Sequence, residues 1–115
     1  MIRVAILDNS NEVMSSIFRL LHDEPDIDVV GSASDGEVGL QLVRETRPDV
    51  ALVDMDLPVM DGLKVAQSIT ATLPSVQVIL MSVHKELLCV RRAMHAGARD
   101  YVAKPAELED LPEKI

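Results

Sequence analysis

The chain has 115 residues, enough for one domain with a real core and too few for two. It is 48% hydrophobic and 26% charged, which is ordinary for a globular protein and wrong for a disordered one. A formal net charge of −8, with no basic cluster beyond Arg91 and Arg92, argues against direct binding to nucleic acid or to an anionic membrane.

Read in chain order, Val4-Ala5-Ile6-Leu7 is a short continuous apolar run, as expected for a strand buried on both faces. Asn9 with Glu12 resembles a capping box, opening a helix whose Val13, Ile17, Leu20 and Leu21 share one face. Ile27-Asp28-Val29-Val30 predicts a weaker, more polar strand at an edge of the sheet. Asp35-Gly36 starts a second helix through Val38, Leu42 and Val43, before Pro48. A third strand, Val50 to Val53, leads to a helix opened by Asp61-Gly62 that runs through Val65, Ala66 and Ile69 and closes at Pro74. Val76 to Met81 is a fourth strand. The next helix runs from about Lys85 to His95, with Gly97 as its left-handed terminator. Tyr101-Val102-Ala103 is a brief fifth strand, and a fifth helix begins near Glu107, where Pro112 interrupts it.

Five strands alternating with helices predict a doubly wound α/β domain over residues 1–115, its last helix short, as in an excerpt of a longer protein. Right-handed crossovers favour the flavodoxin-like parallel order 2-1-3-4-5, with helices on both faces. The single cysteine, Cys89, excludes an internal disulfide and sits in an apolar stretch that reads as packing. No apolar run approaches the ~20 residues of a membrane span, and no signal peptide is visible, so a cytoplasmic location is expected.

In doubly wound folds ligands bind beyond the carboxyl ends of the strands. Asp8 and Asn9 follow the first run, Asp54 and Asp56 the third, Ser82 the fourth, and Lys104, before Pro105, the fifth. One rim therefore gathers carboxylates, a hydroxyl and an ammonium. Clustered oxygen ligands suit Mg²⁺, and a carboxylate beside that ion is a nucleophile toward phosphorus. Phosphoryl transfer then requires positioning and charge neutralisation more than covalent assistance.

The segment Val53-Asp54-Met55-Asp56-Leu57-Pro58-Val59-Met60-Asp61-Gly62 resembles the acceptor segment of response-regulator receiver domains, the CheY-like modules of two-component signalling. Ala98-Arg99-Asp100-Tyr101-Val102-Ala103-Lys104-Pro105 resembles their fifth strand and its Lys-Pro ending, whose peptide bond is usually cis in that family. The resemblance spans nearly the whole chain. It implies Asp54 as phospho-acceptor, with Asp8, Asn9, Asp54 and the backbone carbonyl of Asp56 around Mg²⁺. It also implies Ser82 and Lys104 as the phosphate-sensing pair and Tyr101 as an aromatic switch that turns inward. A sensor histidine kinase or phosphotransfer protein would donate the phosphoryl group. The face of fourth helix, fifth strand and fifth helix would be read by a C-terminal effector domain or a second copy. A narrower likeness, in Met81-Ser82-Val83 and Arg91 to Asp100, is to receivers ahead of ParA/MinD-like ATPases of pilus assembly.

Departures from the family pattern qualify these expectations. Asn9 is an amide where receivers usually carry a second acid, which predicts weaker Mg²⁺ binding that Asn9→Asp should tighten; alternatively, Asn9 caps the first helix. Val83 replaces a smaller residue near the acceptor. Asp56 and His84 occupy variable positions that tune phosphoryl lifetime, while His22 and His95 read as surface residues. Tyr101 could instead pack its ring and leave its hydroxyl wet. Asn9 also keeps open a phosphorylation-independent pseudo-receiver. Asp54-Met55-Asp56 mimics the nucleophile motif of haloacid-dehalogenase-type phosphatases, but Leu57 and the lack of an acidic pair after Lys104 count against that class. A flavodoxin is disfavoured by the absence of a glycine/serine-rich phosphate loop.

Overall fold

The structure, a computed structural model, describes residues Met1–Ile115. The apolar runs form β1 (Ile2–Leu7), β2 (Ile27–Ala33), β3 (Val50–Asp54), β4 (Gln77–Ser82) and β5 (Asp100–Ala103). Between them lie α1 (Asn11–His22), α2 (Gly36–Thr46), α3 (Gly62–Thr72) and α4 (Leu87–His95). After β5 come a single 3₁₀ turn, Leu108–Asp110, and the short α5 (Leu111–Lys114). The sheet is wholly parallel, in the order β2-β1-β3-β4-β5, as expected.

Successive side chains of each strand point to opposite faces, so the central strands feed two cores. Ala5, Leu7, Ala51, Val53, Val78 and Leu80 pack with Val43 of α2, Ile69 of α3 and Ala93 of α4. Val4, Ile6, Leu52, Ile79 and Met81 pack instead against Ile17 and Leu21 of α1 and Leu111 of α5. Burial on both sides explains why these strands read as unbroken apolar runs.

Side chains cap the starts of α1, α2 and α3. Asp35 accepts a hydrogen bond from the Val38 N–H and Asp61 from the Lys64 N–H, at 2.8 and 3.0 Å. For α1 the sequence expectation is corrected: Ser10, not Asn9, is the cap, its hydroxyl accepting from the Val13 N–H. Asn9 is exposed one residue earlier. Pro112 also differs from expectation. It stands in the first turn of α5, where a missing N–H breaks no helical bond, so it begins the final helix rather than interrupting it.

Three residues depart from ordinary backbone, among them Arg47, which ends α2 in the left-handed region at φ 45°. Gly97 ends α4 at φ 98°, a conformation open to glycine because it lacks a Cβ. Val59 has φ 72°, and the Met60 N–H donates to the Pro58 carbonyl across it, which makes a strained γ-turn in the β3–α3 loop. Its branched side chain is exposed, so no intramolecular packing offsets that strain. The Lys104–Pro105 bond is cis.

Candidate functional site

Parallel strands carry Asp8, Asp54, Ser82 and Lys104 to one edge of the sheet, each at or just past a strand's carboxyl end. All four are buried, and they are the only buried polar or charged side chains in the chain. A buried charge is costly unless paired. The pairing here is direct: Lys104 Nζ lies 2.9 Å from Asp8 Oδ2 and 3.2 Å from Asp54 Oδ1. Backbone N–H groups supply a further donor to each carboxylate. Asp8 Oδ1 accepts from the Ser10 N–H at 2.8 Å, and Asp54 Oδ1 from the Asp56 N–H at 3.0 Å. No buried side-chain polar atom lacks a partner.

Ser82 is fully buried, and its Oγ accepts from the His84 N–H at 3.1 Å. Accepting there leaves the hydroxyl proton free to donate elsewhere. Tyr101 is turned inward among α4 and β4 residues, with its hydroxyl donating to the His84 carbonyl. The alternative of a wet hydroxyl is therefore corrected. Burial pushes the Tyr101 phenol above its ordinary value of 10.0, partly opposed by the neighbouring Ser82 hydroxyl.

Asn9 and Asp56 are exposed at the rim, and His84, His22 and His95 also face outward. Cys89 is half-buried and packs against the larger core. No group of three or more His, Cys, Asp or Glu side chains is arranged to hold a metal. What the rim offers a cation is two carboxylates, an amide and backbone carbonyls, which fits Mg²⁺, an ion commonly held by one or two carboxylates. A groove of about 660 Å³ lies elsewhere, between α1 and α5 among Arg19, Asp23, Glu24, Glu109 and Glu113.

The rim residues are legible in the sequence, but their connections are not. The double pairing of Lys104 and the His84 carbonyl as the tyrosine's partner have no local sequence signal. Ser10 as the cap was readable, since serine follows Asn9 directly.

A doubly wound domain with an aspartate, a lysine and a hydroxyl converging on the switch-point edge belongs to the phospho-receiver class of signalling modules. Residues 4–115 match the family model of the response regulator receiver domain, and the chain belongs to that family. It is 36% identical over 115 residues to the response regulator GacA of Pseudomonas aeruginosa, covering 100% of this chain and 54% of that protein. It is 40% identical over 109 residues to a protein-glutamate methylesterase/protein-glutamine glutaminase of a Nocardioides species, covering 93% of this chain but 30% of that one. The response regulator domain of Thermotoga maritima CheB superposes with a TM-score of 0.91 at 27% identity, covering 99% of this chain and 92% of that one. The chain thus spans about half the length of GacA and under a third of the methylesterase. The phosphatase and flavodoxin alternatives give way to this family, and a phosphorylation-independent pseudo-receiver is not favoured. Receiver domains are signalling modules rather than catalysts. No helix is long and apolar enough to cross a membrane.

Proposed function

We propose that Asp54 accepts a phosphoryl group from a histidine-phosphorylated protein or a small phosphodonor, and that the resulting aspartyl phosphate switches the domain. The observation that carries this reading is the buried Lys104 ammonium shared between Asp8 and Asp54. It supplies a fixed positive charge beside the acceptor carboxylate. As the Asp54 oxygen bonds to phosphorus, the donor's P–N or P–O bond breaks and its electron pair leaves with the donor. Lys104 then offsets the charge brought in, and Ser82 donates its free hydroxyl proton to a phosphoryl oxygen.

Mg²⁺, held by Asp8, Asp54, the Asp56 carbonyl and, through its amide oxygen, Asn9, would neutralise the phosphoryl oxygens when bound. Asn9 brings no charge to that set, so affinity should be modest. Output would pass through α4, β5 and α5 to an attached effector domain or a second copy. The relatives show two kinds of longer protein, GacA-like and methylesterase-like.

Amide NMR with Mg²⁺ and beryllofluoride, an aspartyl-phosphate mimic, tests the proposal. Saturable shifts around Asp54, Ser82, Tyr101 and Lys104 are expected in the native chain and not in Asp54→Ala. A native chain that fails to respond at millimolar Mg²⁺ would overturn it.

A further inference from the structure

β5 is the last strand of the sheet, so one of its edges has no neighbouring strand. An open strand edge leaves N–H groups for water or another chain to take. Here two of them are closed by carboxylates: the Tyr101 N–H donates to Asp100 Oδ1 and the Ala103 N–H to Glu107 Oε1, both at 2.7 Å. Asp100 does more than close the edge. Its other oxygen, Oδ2, lies 2.9 Å from Lys114 Nζ in the last turn of α5. The neighbouring Arg99 guanidinium donates to the Lys114 backbone carbonyl. The start of β5 therefore grips one α5 residue by both its side chain and its main chain.

We infer that Asp100 and Lys114 form a latch that ties the last turn of α5 to the backbone of Tyr101. One carboxylate bridges the tyrosine's own amide and the helix ammonium. Displacement of β5 at Tyr101 must then either carry the end of α5 with it or break a charge-assisted bond. This rests on the phospho-switch reading, in which Tyr101 responds to Asp54. Both partners bear the imprint of the contact. Burial pushes the Asp100 carboxyl up, but the Lys114 hydrogen bond, the Tyr101 N–H and nearby positive charge outweigh it and leave the group below 3.8. The Asp100 hydrogen bond raises Lys114 above 10.5. Asp100 and Lys114 are thus positioning residues, and neither touches the phosphate rim.

The test is amide NMR of the 115-residue chain with Mg²⁺ and beryllofluoride, comparing native, Lys114→Met and Lys114→Arg. In the native chain Asp54, Tyr101 and Glu113 to Ile115 should titrate together. Lys114→Met should keep the Asp54 and Tyr101 shifts and their midpoint but reduce the shifts at 113–115, where only the Arg99 bond to the main chain is left, and Lys114→Arg should restore them. C-terminal shifts as large in Lys114→Met as in the native chain, or missing from a native chain whose Asp54 responds, overturn the latch alone. A native chain without any Asp54 response overturns the phospho-switch reading. In that case hydrogen exchange at the Tyr101 amide still decides the latch. Lys114→Met should speed it by roughly threefold or more, and an unchanged rate overturns it.

Discussion

Lys104 holds two buried carboxylates together, and its removal would leave like charges facing each other with no cation between them. Losing one partner of a buried charged set costs more than the set contributes when complete, because desolvation of the survivors is no longer offset. Lys104→Ala should therefore cost about 3–5 kcal/mol in urea unfolding without divalent cations. Millimolar Mg²⁺ should recover more stability in this variant than in the native chain, since a bound cation replaces the missing charge. Equal Mg²⁺ effects in both would show that the ion does not bind between these carboxylates. Tyr101 gives a second measurement of one side chain. It is the only tyrosine and there is no tryptophan, so phenolate absorbance reports it alone. Burial raises its pKa, so the folded chain should titrate with a midpoint above 10.0. Because the folded value lies above the unfolded one, the associated stability is complete below about pH 10 and is lost as pH rises through the folded pKa. A midpoint at or below 10.0 would place the ring outward.

At the scale of elements, the loop from β3 to α3 depends on how closely α3 approaches the acceptor strand. A Cβ at Gly62 would lie 2.0 Å from the Asp54 carbonyl oxygen and 2.7 Å from the Met55 Cα. Those atoms are backbone and cannot swing away, so Gly62→Ala should cost at the upper end of overpacking penalties, about 3 kcal/mol by urea denaturation. It should also displace Asp54 and slow its phosphorylation; a cost under about 1 kcal/mol would mean the loop yields freely. Gly62 was legible as a helix start, but its contact with the acceptor strand was not, because that approach is tertiary. The same division runs through the fold. Order and strand centres were readable because burial on both faces leaves unbroken apolar runs. Strand ends were less so: β1 begins at Ile2 through Arg3, whose guanidinium donates to the Thr46 and Arg47 carbonyls at the end of α2. β2 extends past Gly31 to Ala33, where no run marks it. The rim residues were legible because a parallel sheet brings every strand's carboxyl end to one edge. Their linkage was not, since Lys104 and Asp8 meet across 96 positions.

For the whole molecule, charge and apolar exposure oppose each other. A net charge of −8 disfavours contact between copies. Yet Val83, Leu87 and Leu88 are 61%, 64% and 58% exposed in and before α4, and Met94 is 43% exposed further along the helix. A shallow groove of about 320 Å³, lined by Val90, Met94, Tyr101 and Ala103 and flanked by the charged Lys85, Asp100 and Glu107, joins Met94 to the inward tyrosine. If Asp54 modification reshapes that groove through Tyr101, the apolar face becomes a contact whose strength depends on phosphorylation. Analytical ultracentrifugation should find monomer with Mg²⁺ alone and a reversible dimer with Mg²⁺ and beryllofluoride. Such a small patch should give weak association, with a Kd on the order of micromolar or above. The double variant Leu87→Ser/Leu88→Ser should stay monomeric while its beryllofluoride shifts at Asp54 remain native. Salt separates apolar contact from ion pairing. Added salt screens the repulsion between two copies of the same negative chain and should strengthen an apolar dimer. A dimer that weakens with salt would instead be held by charges such as Arg91 and Arg92 against an acidic surface, and the leucines would then be the wrong residues to change.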